Sequence, residues 1–441
     1  CVFVGLTMNK YIPIIGMEVH IEPTLKTKMF CGCLADHFGK KPNTQVCPVC
    51  LGLPGALPFA NWGGIEAVVK LGLAVGGKIS EISRFYRKNY FYPDLPKGYQ
   101  TSQLTDPFCV GGSLFGKRIN HIHLEEDAGK NLHETINGEK VTLVDFNRSG
   151  VSLIEMVTEP DFHSISEVID FLKEVQLIAR YIGVSNADME KGSMRLEANI
   201  SLSPDGKLPN YKVEIKNINS FKFLEKAINT EIKRQEEILS AGKIPEQETR
   251  GYDEISQSTF SQRSKADAHD YRYFPEADLP PIKLNEDDIK ILSNNLGELP
   301  GTKRERFAKE YQLPQDYIEI LVTDLERANY FEEAVRLGQG PSLSAKFIAD
   351  AMINKKLDSQ FPDPAGLIKR LVEVSKVDFA SDSDTVFAIE AVIGENAKAV
   401  ADYKNGNGNV VGFLIGMVQK KLNGKGNPKN IQQKLFEILQ K

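Results

Sequence analysis

From Tyr11 onward, several separated stretches alternate apolar and polar residues with a period of two, the repeat of a strand with one buried face. The first, residues 11–22, is rich in β-branched residues and sets Glu18, His20 and Glu22 opposite Val19 and Ile21. Ile119, His121 and His123 alternate into the run His123-Leu-Glu-Glu-Asp-Ala-Gly-Lys130, where Glu125 and Asp127 project to one face and Glu126 to the other. Arg195, Glu197, Asn199 and Ser201 share a face in a third stretch, as do Lys212, Glu214 and Lys216 in a fourth. Between them the period changes to that of a helix over residues 63–76, 166–181 and 221–240, the last ended by Gly242. Residues 151–157 form an apolar run stopped by Thr158-Glu-Pro-Asp161. Beyond Leu279-Pro-Pro-Ile282 the strand signal vanishes, and residues 284–379 read as short helices broken near 338–341 and 361–364. Ser381-Asp-Ser-Asp384 caps a helix to about residue 403; a Gly/Asn turn at 405–409 leads to helices over 413–422 and from Pro428.

Composition narrows the class. The 441 residues are 41% hydrophobic and 26% charged, the profile of a globular chain of about three domains. A net charge of −5 argues against wholesale coating of nucleic acid, so any such contact is local. The tail supplies one candidate: Lys420, Lys421, Lys425, Lys429 and Lys434 stand against the single acid Glu437, which reads as a polyanion contact or as a solvated helix face. No apolar run reaches the ~18 residues a membrane span needs, Met8 is a candidate start with residues 1–7 an upstream extension, and the expected compartment is cytoplasmic.

Two kinds of candidate chemistry stand out. Cys31-Gly-Cys33 and Cys47-Pro-Val-Cys50 form two tight thiol pairs thirteen residues apart, the spacing of a tetrahedral sulfur set for structural Zn²⁺. Glutamates recur on the polar faces of four strand-like segments: Glu18, Glu125 or Glu126, Glu197 and Glu214, each beside His, Asn, Arg or Lys. Hard oxygen ligands gathered from separate strands suit Mg²⁺, and the neighbouring bases suit phosphate oxygens. The basic-aromatic stretch at 84–103 fits either a base-stacking, phosphate-holding surface or a packed irregular loop. Gly111-Gly-Ser-Leu-Phe-Gly-Lys-Arg118 approaches a phosphate-binding loop but has Arg118 where Ser or Thr would hold Mg²⁺, and a strand follows it, so a hairpin is expected.

Taken together, Gly16-Met-Glu-Val-His20, Cys47-Pro-Val-Cys-Leu-Gly-Leu-Pro-Gly55, Arg87-Lys-Asn-Tyr-Phe-Tyr-Pro-Asp-Leu-Pro96, His123-Leu-Glu-Glu-Asp-Ala-Gly-Lys130, Asp145-Phe-Asn-Arg-Ser-Gly150, Glu214-Ile-Lys-Asn217 and His269-Asp-Tyr-Arg-Tyr-Phe-Pro-Glu276 resemble the GatB family of tRNA-dependent amidotransferase subunits. The likeness reaches the tail at Gly412-Phe-Leu-Ile-Gly416 and Gly426-Asn-Pro428. It implies an α+β fold: a cradle-like catalytic domain over 1–283 with a zinc knuckle at 31–50, an all-α domain over 284–379 and a small tRNA-binding tail over 380–441. It implies ATP-dependent transamidation of misacylated Glu-tRNA or Asp-tRNA in a heterotrimer with an amidase subunit and a small linking subunit. Carried onto this chain, Glu18, Glu126, Glu197 and Glu214 are the expected Mg²⁺ set, with Glu18, His20, Glu125 and Lys130 catalytic and Arg195 and Lys216 holding ATP phosphates. Cys31, Cys33, Cys47 and Cys50 match the zinc ligands of those members that have them. The chain departs from the pattern at Glu197, where Asp is common, at Lys191, where an acid is common, and at Gly251, where Arg is usual; its helical region is also shorter. The competing expectation is a tRNA-binding scaffold without chemistry of its own. The archaeal-type glutamyl-specific relative would need a large inserted domain, for which the chain has no room.

Overall fold

The period-two stretches find one another and pair. The protein, a computed structural model, is described over residues 10–264, 270–375, 380–404, 408, 410–423 and 425–439. The expected extension over 1–7, His269, most of the 405–409 turn and the side chain of Lys429 lie outside the described residues. In chain order, β1 (Ile12–Ile21), β2 (Lys78–Ile79), β3 (Cys109–Val110), β4 (Ser113–Leu114), β5 (Lys117–Glu126), β6 (Ser152–Thr158), β7 (Met194–Ser203), β8 (Val213–Ile218), β9 (Glu248–Asp253) and β10 (Ser258–Ser264) make a ten-stranded sheet. Its order is β10-β9-β8-β7-β1-β6-β5-β3-β2, with β4 paired to β5 off this path. Among the described residues every pairing is antiparallel except β8 with β9.

Register decides which side chains share a face. Val19 opposes Met156 and Leu196, and Leu124 opposes Ile154, so these side chains enter one core. Helices α1 (Trp62–Ala74), α2 (Ile165–Tyr181) and α3 (Phe221–Ser240) cover that side with Ile65, Val68, Leu172, Val175, Leu224 and Ile228. Each such side chain contributes about 1.5–3 kcal/mol when fully buried, so a charge at Val19 would break the layer. The helices start where capping chemistry appears. The Asn61 side chain accepts from the Gly63 N–H, and Ser164 and Glu167 form a reciprocal capping box. With helices on one side, the other side of the sheet is left to the polar half of each alternating strand. The mixed sheet with its helices, followed by a helical region, makes the chain α+β.

The chain divides into two compact units, Cys1–Arg306 with Val322–Leu325, and Phe307–Leu321 with Glu326–Lys441. In the first, a hairpin of Lys130–Ile136 and Glu139–Asp145 and a small sheet of Tyr86–Asn89, Tyr99–Ser102 and Phe274–Pro275 accompany the main sheet. Gly111, Gly112 and Gly116 all take positive φ, and Ser113 pairs with Arg118. That segment is the expected hairpin, and Lys117 is engaged by Glu167 rather than free for a phosphate. The second unit is helical in its described residues. Phe307, Tyr311 and Phe331 form an aromatic knot with centroids 5.2–5.4 Å apart. Ile389, Val392, Leu414, Val418, Ile431 and Leu435 close a separate core among Asp382–Glu395, Val410–Lys421 and Pro428–Leu439. Among the described residues no helix is long and apolar enough to cross a membrane.

Candidate active site

The polar half of the sheet lines an open cavity of about 860 Å³. Pairing sets Glu18 beside Glu197 and Val157, and His20 beside Arg195 and Glu155. On the next strand Glu155 opposes His123, and Leu153 opposes Glu125. Five strands therefore deliver charged side chains to one surface, because pairing keeps these polar positions on the same side of the sheet.

Two groups of ligand-type side chains result. In one, Glu18, Glu197 and Glu214 each bring an oxygen to within 4.8 Å of the others. Asn199 Nδ2 donates to Glu18 at 2.8 Å and Thr249 Oγ1 to Glu214 at 2.7 Å. Burial, then the charges of Glu155, Glu197 and Glu214, raise the pKa of Glu18 above its ordinary value. In the other group, His20, Glu125 and Glu155 approach to within the same distance. Glu155 Oε2 lies 3.4 Å from His20 Nε2 and 3.3 Å from His123 Nε2, and Ser102 Oγ donates to Glu125 at 2.9 Å. Burial opposes charge on both rings, yet Glu155 lifts His20 to about 9 and, with Glu125, His123 to about 10. The Glu155 carboxyl in turn is held well below its usual range against its burial, by His123 and His20. His121, stacked 5.2 Å from His123, is pushed down to about 4 by burial and by that neighbouring charge.

Cations surround both groups. Lys216 Nζ stands 2.8 Å from Glu197 and 3.4 Å from Glu214. Arg195 donates to Asp127 at 2.6 Å, with Arg148 3.5 Å from the same oxygen. Lys130 and Lys191 line the cavity. Lys88 does too, its Nζ 4.9 Å from the centre of the Tyr271 ring. Its pKa is raised: burial works against the charge, and Glu125, Tyr273 and Glu155 together outweigh it. The basic-aromatic stretch divides its roles. Arg87 is absorbed by a bidentate bond to Glu276 and by Tyr99 under its guanidinium at 4.5 Å, whereas its neighbour Lys88 turns to the cavity.

The four-glutamate set expected from the resemblance does not assemble. Glu126 belongs to the helix-side half of β5, in register with Ser152, and its carboxylate is taken by Lys97 and by the Thr101 N–H at 2.8 Å. It lines a separate cavity of about 150 Å³ with Phe30, Cys50, Tyr99 and Glu276. Sequence reasoning missed Glu155. Its signal was there, a lone carboxylate inside the run 151–157, whose other residues are apolar except Ser152, where an unpaired charge has no reason to sit. Of the other expected site residues, Glu18, His20, Glu125, Lys130, Arg195, Glu197 and Lys216 line the large cavity, and Glu214 joins them through Glu18 and Glu197.

The four cysteines converge, with one sulfur from each within 4.8 Å of the rest. The Cys47 N–H points to Cys50 Sγ at 3.2 Å, and the wholly buried Lys28 brings its Nζ to 3.6 Å from that sulfur and 3.3 Å from the Phe146 carbonyl. A sulfur set of this kind could hold a thiophilic metal.

A sheet whose open face gathers two acidic groups and several bases, in a chain that also draws four cysteines together, defines a class: the chain belongs to the family described as the GatB/GatE catalytic domain, matched over residues 13–290. A GatB domain is matched over residues 342–439. The chain is 42% identical to the aspartyl/glutamyl-tRNA(Asn/Gln) amidotransferase B subunit of Thermodesulfovibrio yellowstonii, over 98% of this chain and 99% of that one. It is 41% identical to the protein of the same name from Persephonella marina, over 98% and 100%, and 40% identical to that of Thermotoga maritima, over 97% and 99%.

Proposed function

We propose that the chain is the transamidating subunit of a tRNA-dependent amidotransferase, converting misacylated Glu-tRNA(Gln), Asp-tRNA(Asn) or both to the amidated forms. The observation that carries this reading is the pair of acidic groups, Glu18/Glu197/Glu214 and His20/Glu125/Glu155, side by side on one cavity wall. An ionised carboxylate is a poor electrophile, and its oxygen is a poor leaving group. Transfer of the ATP γ-phosphoryl to that oxygen gives an acyl phosphate; ammonia then forms the C–N bond, the C–O bond to phosphate breaks, and nitrogen loses a proton. Lys88, Lys130, Arg195 and Lys216, which line the cavity, would meet phosphate oxygens. Arg195 is the best oriented of the four, since Asp127 fixes its guanidinium.

Bound Mg²⁺ supplies charge neutralisation at the transferring phosphoryl group. The two acidic groups would hold it, without Glu126. Their donors fit such an ion: all but one are carboxylates, and two buried atoms of the site, Glu197 Oε2 and His123 Nδ1, have no hydrogen-bond partner. The cysteine knuckle would hold structural Zn²⁺. In this reading ammonia comes from a separate amidase subunit, and a small linking subunit completes a cytoplasmic heterotrimer; the relatives' printed name, a B subunit, supports an assembly of several subunits.

The test is ATP-dependent amidation by the assembled complex on misacylated tRNA. Glu155→Gln and Glu18→Gln should each lower the rate by at least about ten- to a hundredfold, the loss typical even of residues that only support a metal site, while the partner's glutaminase still turns over. Full amidation by both variants would leave the chain a tRNA-binding scaffold.

A further inference from the structure

Three carboxylates within 4.8 Å of one another repel unless a positive charge sits among them. In the His20/Glu125/Glu155 group an imidazole stands in place of a third carboxylate, and His20 and His123 flank Glu155 at 3.4 and 3.3 Å. For Glu18/Glu197/Glu214 the positive charge comes from Lys216, whose Nζ is 2.8 Å from Glu197 Oε2 and 3.4 Å from Glu214 Oε1. The backbone is built to put it there. Leu196 of β7 pairs with Ile218 of β8, and Ala198 with Ile215, so two residues of β8 stand opposite the single Glu197. Such a bulge re-aims the side chain it carries.

The fit is nevertheless incomplete. Glu197 Oε2 is a buried oxygen that accepts no hydrogen bond, so the ammonium beside it is a charge contact out of hydrogen-bonding alignment. Asn199 and Thr249, by contrast, hold oxygens of Glu18 and Glu214 in aligned hydrogen bonds. Lys216 is also the loosest member of the group, its side chain 38% exposed against 18% for Glu197 and 21% for Glu214, and it opens on the large cavity.

We propose that Lys216 is the resting counter-ion of the Glu18–Glu197–Glu214 group and that a divalent cation takes its place there. This rests on the proposed function, in which that group holds Mg²⁺. Ammonium and metal ion compete for the same oxygens of Glu197 and Glu214. Its four-carbon stem lets the displaced ammonium turn into the cavity, where it meets the phosphate oxygens of ATP. Metal entry and phosphate capture are then one exchange: the site offers its lysine to nucleotide only after the ion is seated.

The experiment uses the full chain assembled with its partner subunits and Mn²⁺ as the probe, counted by electron paramagnetic resonance, with ATP affinity measured alongside. Lys216→Met keeps the stem and removes the charge. It should bind Mn²⁺ at this group about tenfold tighter or more while ATP binds more weakly. Lys216→Arg should keep Mn²⁺ affinity near that of the unaltered protein. Lys216→Gln, shorter and equally uncharged, should repeat the tightening, which guards against misfolding of the Met variant. Unchanged or weaker Mn²⁺ binding in both uncharged variants overturns the exchange. Glu214→Gln separates the two levels. If it removes one class of Mn²⁺ site, a failure of the lysine variants counts against the exchange alone; if it changes nothing, the metal assignment of this group falls with it.

Discussion

Glu155 is flanked by two imidazoles at 3.3 and 3.4 Å, and the three groups share one electrostatic account. His20 and His123 are raised from an ordinary 6.5 to about 9 and about 10. A raised folded-state pKa contributes stability that is fully present below the unfolded value and is lost as pH climbs through the folded one. Glu155, shifted the other way, contributes above its ordinary 4.5 and loses that as pH falls. Stability from this group is therefore greatest between about 4.5 and 6.5 and declines toward pH 9–10. Thermal unfolding of the metal-free protein from about pH 5 to 10 should show that alkaline decline. Glu155→Gln, which removes the charge lifting both rings, should flatten it; an unaltered slope would mean the rings are not charged by this carboxylate.

At the scale of strands and turns, alternation carried most of the site. It placed Glu18, His20, Glu125, Glu197 and Glu214 on polar faces, and pairing in register did the rest. It also set Glu126 opposite Glu125, and the folded β5 obeys that rule rather than the family likeness that grouped the two. Glu155 was not legible in the same way, because the apolar residues around it dominated the reading of 151–157. Which bases remain free for phosphate was not legible either. Arg87 and Lys88 are adjacent in sequence, but only pairing with a strand nearly two hundred residues away decides that Arg87 meets Glu276. The 145–150 turn makes a further prediction. Gly150 has φ +83°, and a Cβ there would come within 3.3 Å of the Cys50 Cβ and near the Lys28 stem. Gly150→Ala should destabilise the first unit by about 1–3 kcal/mol, and it should speed metal loss from the knuckle to a chelator. Denaturant titration and release of the metal to a chromogenic chelator measure the two effects.

On the scale of the whole molecule, the first unit has a core built on its sheet, and in the second Asp382–Glu395, Val410–Lys421 and Pro428–Leu439 close a separate one around Leu414 and Ile431. The sheet core takes its residues from Ile15 to Leu292, ahead of the tail. Deleting residues 380–441 should therefore leave both acidic groups and their Mn²⁺ binding intact. Under the proposed function it should weaken tRNA binding, read by gel mobility, because Lys420, Lys421, Lys425 and Lys434 go with it. Loss of Mn²⁺ binding together with the tail would show that the sheet needs those helices to fold.

The parallel junction of β8 with β9 has a consequence for synthesis on the ribosome. Antiparallel neighbours can zip through short turns, whereas a parallel pair waits for a crossover, here the helix α3 between Ile218 and Glu248. Thr249, which braces Glu214, lies beyond that crossover. A nascent chain thus has Glu18 and Glu197 in hand about fifty residues before it can fix Glu214. The acidic trio ripens late, and a protein released early carries most of the sheet with one carboxylate left swinging.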